Sequence, residues 1–168
     1  MLTMTIRLAA PLQTNSIVDG KGLRMVIWNQ GCNLRCPGCH NPETWDCHGG
    51  TLTEVNQLIQ QIKYNKGAHQ GITLSGGDPF LQVEANKEIA KAAHSMNLDV
   101  WAYCGQTFEQ LIYDPNKKQL LEQCDVLVDG PYIASQRDVT LPFRGSTNQR
   151  IIDVKQSLIQ HKAVLYEL

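Results

Sequence analysis

The chain has 168 residues, 42% apolar and 18% charged, with a formal net charge of −1. Those values describe one globular domain able to bury a core, and they exclude the basic footprint of a nucleic-acid binder. No stretch approaches the roughly 20 apolar residues of a membrane span, and the start MLTMTIRL lacks the apolar core of a signal peptide. The cytoplasm is the expected compartment, so clustered cysteines point to metal or redox chemistry rather than disulfides.

Residues 23–28 (LRMVIW) read as a buried strand. The run GCNLRCPGCH follows at 31–40, where Gly31, Pro37, Gly38 and Pro42 oppose regular structure. Thr53 is the expected N-cap of a helix with Val55, Leu58, Ile59 and Ile62 inward. Residues 71–75 form a short strand ending at Gly76-Gly77, and a helix over 83–96 turns Ile89, Ala90, Ala93 and Met96 inward. Residues 99–103 are the next strand; 107–123 hold helical pieces broken near Asp114-Pro115. A strand at 126–128, a long loop over 130–149, and late strands at 151–154 and 163–166 complete the pattern. Strand and helix alternating in this way predict an α/β fold with a mostly parallel sheet and one domain over 1–168. The cysteine loop and Gly76-Gly77-Asp78-Pro79 then follow successive strands, on the face where such sheets build their sites.

Cys32, Cys36 and Cys39 offer a metal centre three thiolates. A 4Fe–4S cluster takes one cysteine per iron, so a cube held by three would leave one iron open. Other chemistries compete. Cys36-Pro37-Gly38-Cys39-His40 fits the attachment pattern of c-type haem, against which the lack of an export signal counts. Cys36 and Cys39 also resemble a thioredoxin-like redox pair, which has no need of Cys32. A zinc site completed by His48 or Cys47 stays open on spacing alone. The Gly-Gly-Asp-Pro turn adds glycines that let backbone approach a ligand and, in Asp78, a carboxylate able to accept from an ammonium group.

The pair of motifs resembles the radical S-adenosylmethionine superfamily. The resemblance implies a 4Fe–4S cluster on Cys32, Cys36 and Cys39, with S-adenosylmethionine on the open iron and its amino group at Gly76, Gly77 and Asp78. Residues 16–24 (SIVDGKGLR), followed by Gly31-Cys32 and by Asn41, are similar to the signature of the glycyl-radical-enzyme activating enzymes. The segments DVLVDGPY (125–132) and LPFRGSTNQR (141–150) resemble the branch that acts on anaerobic ribonucleoside-triphosphate reductases. The resemblance spans about 16–154. It implies an enzyme whose deoxyadenosyl radical takes hydrogen from a backbone glycine in the reductase's glycyl-radical loop. A flavodoxin- or ferredoxin-like electron donor and an incomplete, laterally open TIM-like barrel are implied as well. Neither nucleic acid nor membrane enters, and no side chain is needed as acid or base.

This chain departs from the superfamily by carrying Gly38 where an aromatic residue usually precedes the third cysteine. Cofactor contacts are therefore expected from Gly38, Cys39, His40 and Tyr103. The short stretch between Cys39 and Gly71 leaves no room for an inserted ferredoxin domain. Cys47, Cys104 and Cys124 share no metal spacing, and Asp129 and Arg144 fit either a site contact or a plain salt bridge. Two other readings remain: a small-molecule enzyme of the 7-carboxy-7-deazaguanine synthase type, and a non-enzymatic zinc or iron–sulfur module.

Overall fold

The computed structural model describes residues 3–39 and 42–168. In chain order these form β1 (Thr5–Leu8), β2 (Gln13–Ser16), β3 (Arg24–Asn29), β4 (Thr51–Glu54), α1 (Val55–Asn65), β5 (Gly71–Gly76) and α2 (Val83–Ser95). Then come β6 (Asp99–Cys104), α3 (Phe108–Ile112), α4 (Pro115–Leu121), β7 (Val126–Asp129), β8 (Arg150–Asp153) and α5 (Val154–Gln160). One sheet runs β4-β1-β3-β5-β6-β7-β8, with β2 also on β3. The β3–β5–β6–β7 core is parallel, and the flanking strands pair antiparallel. The strands at the two ends of that order are β4 and β8, so the sheet is an open α/β arrangement, as expected.

Alternate residues of the central strands serve two different faces. Met25, Ile27, Ile72, Leu74, Val100, Ala102 and Leu127 pack in one cluster with α1, α2, α3 and α4. Each large apolar side chain buried there contributes about 1.5–3 kcal/mol. The opposite, inner face carries Arg24, Thr73, Ser75, Trp101 and Tyr103, and its own smaller cluster joins Trp101, Val126, Val128 and Ile151. Phe143 and Tyr166 meet Trp101 edge to face, with ring centroids at 5.4 and 5.7 Å. No helix among the described residues is long and apolar enough to cross a membrane.

Several expected boundaries move for identifiable reasons. Thr53 does not cap α1; it lies in β4 opposite Ile6, and Val55 N–H is satisfied by the Met4 carbonyl at 3.0 Å. An available strand edge thus replaced the side-chain cap. The expected break between α3 and α4 is present, with Asp114 accepting from the amides of Asn116 and Lys117. The late strand ends at Asp153, which caps α5 through Gln156 N–H, so Val154 opens a helix. Residues 163–166 make only a bridge, Leu165 to Ile152, because Ser157 Oγ takes the Val164 amide.

Candidate metal centre and cavity

The cysteine loop leaves β3 and is clamped at its base. Gly31 and Cys32 donate to the carbonyls of Thr44 and Trp45 at 2.6 and 3.2 Å, while the Gln30 amide spans Glu43 and Asp46. Arg35 (φ 48°) and Gly38 (φ 76°) then turn the chain left-handed, and Cys39 N–H closes onto the Cys36 carbonyl at 3.0 Å. Positive φ at two positions is what bends this run into a loop rather than a helix. Cys32, Cys36 and Cys39 are all half-buried, and no disulfide forms among the described residues. Burial pushes the Cys32 thiol up, and the backbone N–H groups of Leu34 and Arg35 pull it partly back toward the thiolate. Among the described residues no three His, Cys, Asp or Glu side chains converge on one point. The triplet therefore shares a loop rather than a single point, and three thiols in one loop suit an iron–sulfur cluster in donor type and number.

The Gly-Gly-Asp turn is built against that loop. Gly77 and Asp78 donate their amides to Asn29 and Gly31 carbonyls at 2.8 and 2.7 Å. A Cβ on Gly76, whose φ is 102°, would strike the Asn29 carbonyl, and one on Gly77 would strike that of Gly31. From sequence, these glycines are expected to let backbone approach a ligand; the close approaches in the structure are to the end of β3 for Gly76 and to the base of the cysteine loop for Gly77. Asp78 is buried, accepting from Phe80 N–H at 2.9 Å with its Oδ1 3.5 Å from Cys104 Sγ. Burial raises its carboxyl pKa, opposed in part by Phe80 N–H and the charge of Lys117. The turn is fastened further by Asn86, which donates to Asn29 Oδ1 and the Pro79 carbonyl, both at 2.9 Å. Sequence reasoning overlooked Asn29 and Asn86, although a polar residue on the buried side of an apolar helix is a readable signal.

A cavity of about 590 Å³ opens beside the two motifs. Trp28, Ser75 and Tyr103 form its floor on the inner sheet face, and Cys39 and Gly76 line it from the two motifs. Residues 17–19 make one wall and residues 141–145 another, with Tyr132 alongside. That volume suits a ligand of cofactor size. Among the expected cofactor residues, Cys39, Gly76 and Tyr103 line this space; Cys32, Cys36, Gly77 and Asp78 stand outside its lining. A Cβ on Gly38 would lie 3.4 Å from the Tyr132 ring, so an aromatic side chain stands beside the position where the sequence lacks one. Tyr132 and Phe143 were not singled out from sequence because a long loop brings them in. His40 and Asn41 lie outside the described residues. Tyr103 hydroxyl donates to the Phe143 carbonyl at 2.8 Å, and burial raises its pKa.

The structure separates the two ambiguous charges. Asp129 is buried, ion-paired to Arg150 and accepting from Phe108 N–H at 2.8 Å, which makes it a plain salt-bridge residue. Arg144 faces the cavity and donates to the Gln149 carbonyl at 3.0 Å, while its buried Nε has no partner. Cys124 is buried under the helices, and Cys47 is exposed next to Gly31.

Comparison with known proteins adds independent findings. The family described as a 4Fe-4S single cluster domain matches residues 18–152. An anaerobic ribonucleoside-triphosphate reductase-activating protein of Haemophilus influenzae is 34% identical over 142 residues, covering 80% of this chain and 90% of its own. Its namesake in Escherichia coli K12 is 33% identical over 141 residues, covering 79% and 90%. The one from enterobacteria phage T4 is 34% identical over 140, covering 80% and 86%. Among solved structures, QueE from Escherichia coli overlaps 62% of this chain and 54% of that one, at TM-score 0.45 and 13% identity.

Proposed function

The chain belongs to the 4Fe-4S single cluster domain family and, within it, to the anaerobic ribonucleoside-triphosphate reductase-activating proteins, and from that premise we propose that it installs a glycyl radical on such a reductase. The observation that carries this reading is the cavity on which Cys39 and Gly76, one from each motif, both open. Cys32, Cys36 and Cys39 would hold the cluster, and the Gly76-Gly77-Asp78 turn would receive the amino group of S-adenosylmethionine. When bound, the two together supply a one-electron cleavage of a carbon–sulfur bond and, from it, the radical that removes hydrogen from glycine.

The chain's own residues position and shield. The clamp of Gly31 and Cys32 on Thr44 and Trp45 fixes the backbone at the first cysteine, and the turn from Cys36 to Cys39 ties together the backbone of the other two. Asp78 is buried and anchored by Phe80 N–H, so it braces the turn from behind while Gly76 presents backbone to the cavity. Trp28, Tyr103, Tyr132 and Phe143 give the cavity aromatic surfaces that suit an adenosine group and exclude water from the reacting atoms. No side chain is assigned as acid or base. A single domain with its core at about 16–154 carries these roles in the cytoplasm, with electrons from a flavodoxin- or ferredoxin-like donor.

The test is anaerobic reconstitution with iron and sulfide, reduction, and addition of S-adenosylmethionine with and without the reductase. The expected result is 5′-deoxyadenosine together with an organic radical signal on the reductase. Failure to form either product with a fully loaded cluster would sink the reading.

A further inference from the structure

Arg24 is fully buried on the inner face, at the end of β3 remote from the cysteine loop, yet it is connected to the cavity. Its Nε donates to Thr73 Oγ1 at 2.8 Å, Nη1 to the Lys21 carbonyl at 2.8 Å, and Nη2 to the Ile72 carbonyl at 2.7 Å. Nη2 also pairs with the Asp99 carboxylate, and the guanidinium lies 5.4 Å from the Trp101 ring centre. An ion pair with Asp99 alone would make Arg24 an ordinary strand residue. One of its bonds instead reaches the 19–22 loop, and a second leads there through Thr73. Lys21 is held directly. Asp19 is held through Thr73, whose Oγ1 donates to the Asp19 carbonyl at 2.6 Å.

The direction of this relay is fixed by chemistry. An arginine Nε–H only donates, so Thr73 must accept from it, which leaves the threonine proton for Asp19. The glycines agree with it. A Cβ on Gly20 would lie 2.8 Å from Arg24 Cδ and 3.0 Å from the Trp101 ring, and one on Gly71 would strike both Asp99 and Arg24. Ahead of the pinned carbonyl, Ser16 Oγ donates to Asp19 Oδ2 at 2.5 Å and accepts from Val18 N–H at 3.3 Å. The segment so fastened is one cavity wall, and its residues Ile17 and Val18 are 72% and 71% exposed.

We propose that Arg24 is a positioning residue that, through Thr73, holds the 17–19 wall in place and so sets how tightly the reductase's glycine segment is received. The inference rests on the functional reading above. It places the effect in substrate affinity because Ile17 and Val18, which this relay holds, are exposed, while among the described residues neither Arg24 nor Thr73 hydrogen-bonds to the cysteine loop.

Thr73→Val keeps the shape and removes both hydroxyl bonds; Thr73→Ser keeps the hydroxyl. With the cluster-loaded chain, Thr73→Val is expected to raise the KM for the reductase about three- to tenfold, the worth of the one lost hydrogen bond that reaches the wall, that to the Asp19 carbonyl. Iron content and the rate of S-adenosylmethionine cleavage should hold, and Thr73→Ser should restore the wild-type KM. Hydrogen exchange of residues 17–22, readable without any cofactor, should quicken in Thr73→Val and stay at the wild-type rate in Thr73→Ser. Arg24→Lys, which keeps a charge beside Asp99 and loses the fork, is the second arm and should move KM and exchange in the same direction. A folded Thr73→Val chain with wild-type KM, or a Thr73→Ser chain equally impaired, overturns this inference alone. A wild-type chain that leaves no radical on the reductase overturns the functional reading and this inference with it, whatever the exchange shows.

Discussion

The two faces of the sheet are built on opposite principles. The helix side is a continuous apolar layer in which Ile27, Ile72, Leu74, Ile89 and Ala93 have no solvent exposure. The inner side is covered by loops and the C-terminal tail, and its strand residues include Arg24, Thr73, Ser75 and Tyr103. Stability on the first face comes from area removed from water, whereas order on the second comes from hydrogen bonds aimed at particular backbone atoms. The contrast teaches that a substitution on the helix side should be felt everywhere in the molecule, while one on the inner side or in its loops should alter chemistry out of proportion to stability.

The largest effect expected is on the loop side. Cys36→Ala removes one of the three candidate thiolates and should abolish a stable 4Fe–4S cluster, while the thermal unfolding of the metal-free protein changes little because Cys36 is a small side chain, only half-buried, in a loop. Iron and sulfide analysis with the charge-transfer absorption measures the first, and calorimetry the second. Four irons per chain in the variant would remove Cys36 from the ligand set. The reverse profile belongs to Ile89→Ala, which opens a cavity under α2 and should cost about 2–5 kcal/mol in urea unfolding. Cluster loading at low temperature should survive. If it fails while the chain is folded, the two faces are coupled more tightly than the packing implies.

The helix side was also the more legible in sequence, for a physical reason. Residues 83–96 carry their inward set at helical spacing, and Asp114-Pro115 punctuates α3 from α4, so local pattern and tertiary burial agree. Short polar strands have no such signature: QTNS in β2 and TLTE in β4 are strands because β3 and β1 offer partners. Thr53 therefore read as a cap. At the candidate site, the cysteine spacing and Gly76-Gly77 were plain, because their residue types and spacing are distinctive in the sequence itself. Tyr132, Phe143 and Arg144 were hard to place because a long loop folds back over the sheet to bring them in. Asn29 and Asn86 gain their meaning only from each other, across 57 positions of sequence.

An intermediate effect should sit where the two motifs touch. Gly77→Ala places a methyl group against the Gly31 carbonyl, so either the turn or the cysteine loop must move. The expected cost is about 1–3 kcal/mol of stability with a larger fractional loss of cluster retention on anaerobic dilution. Unchanged retention would show that the loop can yield without disturbing its thiols.

The smallest effect belongs to the outer rim of the helix side. Burial pushes the Asp125 carboxyl up, and hydrogen bonds from His94 Nε2 and Val100 N–H, both 2.8 Å, with Lys155 nearby, more than offset it; the net pKa is lowered. A lowered carboxyl favours the folded state above the unfolded value of about 3.9, and that contribution fades as pH falls through the folded pKa. Asp125→Asn keeps an acceptor for Val100 and removes the charge. It should therefore cost about 1 kcal/mol at pH 7 and progressively less toward pH 3, in urea unfolding at matched salt. A penalty constant across that range would mean that Asp125 matters as a hydrogen-bonding shape at the end of α2 and β6, with its charge irrelevant to folding.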